Sequence, residues 1–462
     1  MITAKGLEKH EQQLAERLNS VLRAKARRNA LRAAYMDGKH VLRNLPPTAP
    51  PYLRNLNAVL GWPGKAVELL ARRVRLEGFA LPDDDVDAWG LNEVLRDNNY
   101  VAESAQGRLA SLVHSTAFEV VTKGGPGEPA ALISRVTALD GTGDWNPRTR
   151  KLDNFLWVHE RQGEVVTEFS LFYGDQMVTV TADGAVERQQ VLVPVPVQHL
   201  PYKPRIERPF GTSRISRAVM SLTDSAVRTI IRSEGTGDFY GAPWFMIFGP
   251  DEDAFSKNSW QMIMDRVNAI PDNTDPDVLN QRAEVKQFAQ ADQSPHVAQL
   301  QVWAGLFAGE TNIPVSSLGV GMSQANPHSA DSYLASREDL IAEAEDAAAT
   351  WSSAHRQTAL WAWQIAYNEK RIPDELKGLE PLWRDPRYTS RAAAADAAIK
   401  LVTAFPWMAE ADAVVETLGF DRVTTERLRA EKRRAQGRSM LDQIRERAAQ
   451  VEPRADELTD GD

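Results

Sequence analysis

The sequence predicts an α+β chain, mainly α-helical, with one antiparallel β region in its first half. Three observations carry that reading. Ile215, Val219, Leu222, Ala226 and Ile230 step by four, three, four and four, which places one apolar stripe on a helix over about 213–238. Across 117–194 the period changes to two, in β-rich runs at 155–158, 165–173, 177–181 and 189–193. Glycine turns at 162–163, 174–175 and 183–184 divide those runs, and Asp183 followed by Gly184 is the clearest hairpin signal of the chain. An Ala-rich run over about 329–369, carrying Trp351, Trp361 and Trp363, reads as the longest helix.

The remaining elements follow in chain order. Residues 1–45 read as helix, with Leu7, Leu14, Leu18, Leu22 and Leu31 near helical spacing, ended by a turn at 35–38 and the proline-rich 46–51. Pro63 suits the first turn of a second helix over about 63–77, with Val67, Leu70 and Val74 on one face and Gly78 as its stop. Residues 86–113 are helical again. The whole of 117–194 reads as one meander, followed by a stiff extended connector made by Pro194, Pro196, Pro201 and Pro204. Ser213 is the expected N-cap of the stripe helix. Then come a small strand–helix–strand insert (244–248, 260–269, 283–288) and a helix over about 295–311. Beyond it lie a loop rich in Gly, Ser and Asn at 316–328 and the Ala-rich helix. Residues 373–450 read as further helices broken at Pro381, Pro386 and Pro406, and about 451–462 as a frayed acidic tail.

Composition narrows the function. The chain has 462 residues, 54 Lys+Arg against 63 Asp+Glu, a formal charge of −9 and no cysteine. Two to four domains are expected at this length. Disulfides, thiolate catalysis, zinc fingers and iron–sulfur clusters are excluded. An acidic chain does not grip nucleic acid over its whole surface, although a shaped local contact stays open. The N-terminus lacks the apolar core of a secretory signal, and no window approaches a spanning helix, so a soluble protein used inside a cell and without membrane contact is expected.

Catalytic signatures are missing. Gly61, Trp62, Pro63, Gly64 and Lys65 resemble a phosphate loop only loosely, because Ala66 stands where a hydroxyl must reach magnesium and Pro63 removes an amide; a helix start is the simpler reading. Gly319 and Gly321 lack the third glycine of a dinucleotide fingerprint. The eight histidines are scattered singly, which speaks against metal binding through imidazole. Carboxylates at 83–85 and 272–277 are the oxygen-rich loops from which a metal-dependent nuclease would have to be built; solvated loops capping nearby helices explain them as well. Trp351, Trp361 and Trp363 read as helix packing rather than a stacking platform. The basic run Lys432, Arg433 and Arg434, with Arg427 and Arg429, sits among Glu426 and Glu431, so a solvated face and a nucleic-acid patch stay equally open. No cofactor and no catalytic residue is expected.

The order of the elements resembles the portal proteins of long-tailed bacteriophages, which form the head-to-tail connector. Tyr35, Met36, Asp37 and Gly38 after the first helix are similar to that family's Tyr-x-x-Gly element, with Met36 where an aromatic is common. Asn57 and the later Leu76, Glu77, Gly78 and Phe79 resemble its next block. The stretch from Pro201 to Gly211, Thr212, Ser213, Arg214 and Ile215 resembles the extended approach and Gly-x-Ser start of a first stem helix. Ile313, Pro314 and the following Leu318 and Gly319 look like a Val-Pro-x-x-Leu-Gly signature, with Ile313 replacing the usual valine, before a tunnel loop.

That resemblance implies a division into a wing (1–212), stem helices (213–240 and 293–312), a clip (241–292), a tunnel loop (313–328), a long wing helix (329–370) and remaining wing and crown (371–462). It implies Ile215, Val219, Leu222 and Ile230 on the stem. Trp244, Phe245, Phe248 and Trp260 would lie at the clip between subunits, where an insert this small has too little chain to bury its own core. Ser316, Ser317, Ser323, Gln324, Asn326 and His328 would line a DNA channel. The implied function is a homo-oligomeric ring, usually a dodecamer, at one capsid vertex of the virion, assembled in the host cytoplasm. Double-stranded DNA would be packaged and ejected through it without regard to sequence. The implied partners are the terminase large subunit, the major capsid protein and scaffold, and a head-to-tail adaptor. A net acidic conduit suits this, since each phosphate neutralised by Lys or Arg adds affinity and would hold the cargo. A carboxylate-based nuclease and a non-viral helical scaffold are the two readings from other classes.

Overall fold

The computed structural model describes residues 6–42, 58–81, 86–240, 245–248, 284–287, 292–320, 337–387, 391–410, 414 and 422–451. The chain divides into two compact units, 1–383 and 384–462.

In the first unit α1 (Lys9–Met36) is amphipathic, and Ala15, Leu18 and Leu22 bury its inner face. It begins only at Lys9, inside the expected 1–45, and ends at the turn expected over 35–38. A five-stranded antiparallel sheet lies under it, in the order β4 (Gly141–Asn146), β5 (Lys151–Gln162), β6 (Val165–Tyr173), β7 (Gln176–Val180), β8 (Val186–Gln190). Side chains alternate across this sheet as the period of two requires. Leu156, Val158, Phe169, Leu171, Val178 and Val180 face α1, while Phe155 and Phe172 face the other way onto Phe118, Val120 and Val136.

Those last three belong to a second sheet, and here the expected single meander is corrected. β2 (Thr116–Lys123) lies between β3 (Ala131–Thr137) and β9 (Val197–Pro201) in a separate three-stranded sheet. The segment read as a stiff connector therefore supplies a strand. Its prolines bracket β9 or close it, positions where a missing N–H costs no ladder bond.

α2 (Trp62–Ala71) has Pro63 in its first turn, as expected, with Gly61 as its N-cap, so the phosphate-loop resemblance resolves to a helix start. It ends earlier than the expected Glu77. Leu76 and Glu77 instead open β1 (Leu76–Ala80), antiparallel to β12 (Glu380–Trp383), which lies about three hundred residues away in sequence. The same pairing turns the start of 373–450 from helix into strand. Between β1 and β2 run a 3₁₀ turn (Val86–Trp89), α3 (Leu91–Asp97) and α4 (Tyr100–His114).

α5 (Arg217–Tyr240), α6 (Ser294–Thr311) and α7 (Glu338–Ala366) complete the first unit. Trp351 is fully buried in α7, and its Nε1 donates to the Pro201 carbonyl at 2.8 Å. Trp361 and Trp363 are buried as well, so all three tryptophans are core residues. A buried polar knot sits beneath the sheets: the Tyr100 hydroxyl lies 2.9 Å from Glu119 Oε2 and 2.8 Å from His355 Nδ1. Between α5 and α6, β10 (Phe245–Phe248) pairs antiparallel with β11 (Glu284–Gln287), Phe245 opposite Gln287.

The second unit contains α8 (Arg391–Ala404), a 3₁₀ turn (Pro406–Glu410) and α9 (Arg422–Val451). α9 has 30 residues against 29 in α7, so the longest helix described is the last rather than the Ala-rich one. Among the described residues no helix is long and apolar enough to cross a membrane, and no group of three His, Asp or Glu could hold a metal ion.

Candidate functional site: the helical hairpin and its base

α5 and α6 form an antiparallel hairpin joined along its length. Ser216 Oγ donates to Glu310 Oε1 at 3.1 Å near one end, and Trp303 Nε1 to Thr229 Oγ1 at 3.1 Å in the middle. At the far end Ser233 Oγ donates to Gln293 Oε1 at 2.9 Å, and Thr236 Oγ1 lies 3.0 Å from His296 Nε2. The apolar stripe is present but rotated slightly from its expected line. Ile215, Val219 and Ala226 are buried, Leu222 and Ile230 are half-buried, and Val227 and Ile231 complete the inner face.

The expected N-cap is corrected as well. The helix starts at Arg217, and Ser216 caps it by accepting the Val219 N–H at 3.1 Å. Ser213 does a different job one turn earlier: its hydroxyl donates to the Val113 carbonyl at 2.6 Å and accepts the Ile215 N–H. Together with Thr212 N–H to Tyr202 O and Arg214 N–H to Leu112 O, this stitches the approach segment to the end of α4. Gly211 allows the turn. At φ +72° it adopts a left-handed backbone, and a Cβ there would lie 2.3 Å from the Tyr202 carbonyl oxygen.

Arg214 is the centre of the base and is 6% exposed. Its Nε donates to the Ala66 carbonyl of α2 at 2.9 Å, and its Nη2 to the Thr311 carbonyl at the end of α6 at 2.5 Å. Nη1 reaches the Tyr202 hydroxyl at 3.0 Å and Glu343 Oε1 of α7 at 2.6 Å. Glu343 in turn holds Lys203 Nζ at 2.5 Å, accepts the Tyr202 hydroxyl and takes Asn312 Nδ2 at 3.3 Å. Burial alone would raise this carboxyl; the charge and hydrogen bond of Arg214, with the bonds from Lys203 and Tyr202, outweigh that and hold it at about 2. One ion pair therefore ties α2, the approach segment, both hairpin helices and α7 together.

Two anchors flank this base. The Tyr35 hydroxyl donates to Asp224 Oδ1 of α5 at 2.8 Å while its ring stacks on His40 at 3.9 Å, and Gly38 takes the left-handed turn between them. On the other side, Trp62 Nε1 donates to the Leu318 carbonyl at 3.2 Å, with its ring packed on Phe307. Ile313 and Leu318 are buried and pin a 3₁₀ turn (Val315–Leu318), after which Gly319 turns at φ +74°.

The described residues thus place Ser316, exposed on that turn, and the half-buried Ser317 at the point where the chain leaves the hairpin base. Ser323, Gln324, Asn326 and His328 lie outside the described residues, as do Trp244, Trp260, the carboxylates at 83–85 and 272–277, and the tail at 452–462. Phe245 and Phe248 are both in β10. Sequence reasoning missed Tyr202, Trp62 and Glu343 as site residues and saw Arg214 only as part of a motif. One signal was available: Glu343 interrupts the apolar register of Leu340, Ala344 and Ala347, and a carboxylate on a buried face requires a buried partner.

Comparison with known proteins matches the sequence to a family. The family model described as "Phage portal protein, SPP1 Gp6-like" matches residues 11–408. The portal protein of Mycobacterium phage L5 is 27% identical over 394 residues, covering 80% of this chain and 78% of that one. The portal protein of Mycobacterium phage D29 is 26% identical over 372 residues, covering 77% and 74%. Among solved structures, a chain in the neck of an empty gene transfer agent particle aligns at 13% identity with a TM-score of 0.42, covering 74% of this chain and 84% of that one. The match of the family model over most of the chain shows that this protein belongs to the SPP1 Gp6-like family of phage portal proteins.

Proposed function

We propose that this chain assembles into a closed ring, usually of twelve copies, at one capsid vertex, and that double-stranded DNA passes through the ring during packaging and ejection. As a portal protein the chain is an oligomeric structural component of the virion at the capsid neck and not an enzyme. The finer assignments are ours. α5 and α6 act as the stem, 241–292 as the clip, 313–328 as the tunnel loop, and the segments before and after them as wing and crown. The clip would receive the terminase large subunit during packaging and the head-to-tail adaptor afterwards. The wing would meet the major capsid protein and scaffold, with assembly in the host cytoplasm.

The observation that carries this reading is the hairpin of α5 and α6, fixed at its base by Arg214 and Glu343 and leading directly into a turn anchored by Trp62. A rigid two-helix post with a loop at its root suits a conduit, because the loop can be held at the channel wall by a base that does not move. DNA contact there would be polar and indifferent to base identity. Size-exclusion chromatography with light scattering tests the assembly. The reading expects a particle of about a dozen chains, and a monomer under all conditions would overturn it.

A further inference from the structure

The basic run near the C-terminus resolves into an ordered geometry. In α9, Arg427, Arg434, Arg438 and Arg445 step by seven, four and seven, so they lie within about 20° of one line along the helix. The stripe extends over about 27 Å of helix. All four side chains are exposed. Arg427 is paired with Glu431 at 3.2 Å, whereas Arg434, Arg438 and Arg445 make no ion pair among the described residues.

Local pairing offsets this arrangement only in part: Glu431 stands three residues before Arg434, and Asp442 four after Arg438 and three before Arg445. Arg434 and Arg438 are like charges at i and i+4, which weakens a helix by a few tenths of a kcal/mol. α9 carries nine Arg or Lys against four Asp or Glu, on a chain that is acidic overall. Positive charge is therefore concentrated on one rod, and four of its nine cationic positions share one line. Four basic positions in line against Glu431 and Asp442 leave a net positive stripe, for which a ligand can supply the remaining compensation. A second copy of the same helix is a poor occupant, since two arginine stripes repel. The complementary partner is a linear polyanion. Duplex DNA presents one phosphate charge per about 1.7 Å of axis, both strands counted, so the roughly 27 Å of duplex alongside the stripe carries about sixteen charges.

We infer that the arginine stripe of α9 is a second, sequence-independent contact for the phosphate backbone of double-stranded DNA, separate from the loop at 313–328. The choice of DNA as the polyanion rests on the function proposed above. Each arginine supplies charge and bidentate donors to phosphate oxygens, and none needs to reach a base edge. Because the contact is electrostatic and exposed, it weakens steeply with salt, which suits a surface that must let DNA slide.

Fluorescence anisotropy with the full-length assembled protein and a labelled duplex of about 30 base pairs tests this across about 50 to 200 mM salt. The Arg434→Gln/Arg438→Gln/Arg445→Gln variant is expected to bind tens-fold more weakly at the low-salt end. Its log–log salt slope should be shallower by about three. The corresponding triple Lys variant should keep most of the affinity, which separates lost charge from lost helix. Equal affinity and slope in the Gln variant would overturn the inference, and so would unchanged DNA binding with lost binding of a poly-glutamate probe. Ring formation is read separately by light scattering, so a failure to assemble counts against the portal assignment and leaves the stripe measurable on the unassembled chain.

Discussion

Arg214 Nη1 and Glu343 Oε1 meet at 2.6 Å with both side chains buried, one at the foot of α5 and the other on α7. Two elements 129 positions apart in sequence are thereby locked to one geometry, and the guanidinium spends its remaining donors on carbonyls of α2 and α6. Planar, many-donor Arg suits this place, and Lys would leave those carbonyls without a partner.

Removing one partner should leave the other charge buried and uncompensated. Arg214→Met is expected to cost about 3–5 kcal/mol in chemical denaturation. Arg214→Met combined with Glu343→Met should cost less than the sum of the single changes, since the pair is replaced by apolar volume. Additive effects would show that the two residues do not act as a unit.

Gly211→Ala tests the turn before the stem. Its φ of +72° and the 2.3 Å approach to the Tyr202 carbonyl oxygen leave no room for a methyl group. A loss of at least about 2 kcal/mol is expected, from backbone strain together with the displaced approach segment. Thermal unfolding against wild type measures it, and an unchanged midpoint would mean the turn can relax.

Acid should destabilise the fold in two stages. Burial, with the nearby charge of Arg32, pushes the His114 imidazole down to about 4 from 6.5. The unfolded chain therefore takes up the proton first, and stability present above about pH 6.5 is lost as the pH falls toward 4. Glu343 and Glu119 are held at about 2 against 4.5, so their contribution is present above 4.5 and is lost as the pH falls toward 2. His114→Gln should remove its own part of the first stage, at most about 3 kcal/mol. It should leave the second stage together with the part of His199, whose imidazole burial also pushes down to about 4. Denaturation midpoints followed from pH 7 downward would show it.

At the clip, Phe245→Asp is expected to abolish rings while leaving the chain folded. β10 has one edge paired with β11, and under the clip assignment proposed above a neighbouring copy would cover the other. Sedimentation of the variant as the full oligomer would remove β10 from the subunit interface.

At 313–328, proposed above as the tunnel loop, Gln324→Glu and Gln324→Lys should both assemble at wild-type yield and both impair packaging, the first by repulsion and the second by retention. A dozen added charges within a Debye length of about 8 Å of DNA are felt together. Nuclease-protected DNA is the readout, and normal filling in both variants would take this loop out of the channel.

The local elements were legible in the sequence because periodicity reports burial residue by residue. The stripe from Ile215 to Ile230 gave α5, the alternation at 155–180 gave β5, β6 and β7 with both their faces, and Pro63 gave the start of α2. Partnership between distant segments was not legible. Nothing around Leu76 announces Glu380–Trp383 as its strand partner, and the prolines around β9 disguised a strand that β2 completes. The same limit hid the hairpin base. A motif showed that 211–215 mattered, but only the folded chain brings Ala66, Tyr202, Thr311 and Glu343 around Arg214. Local pattern determines which face of an element is apolar. Which buried charge finds which partner is decided when the layers close and water leaves, because an uncompensated ion there costs several kcal/mol.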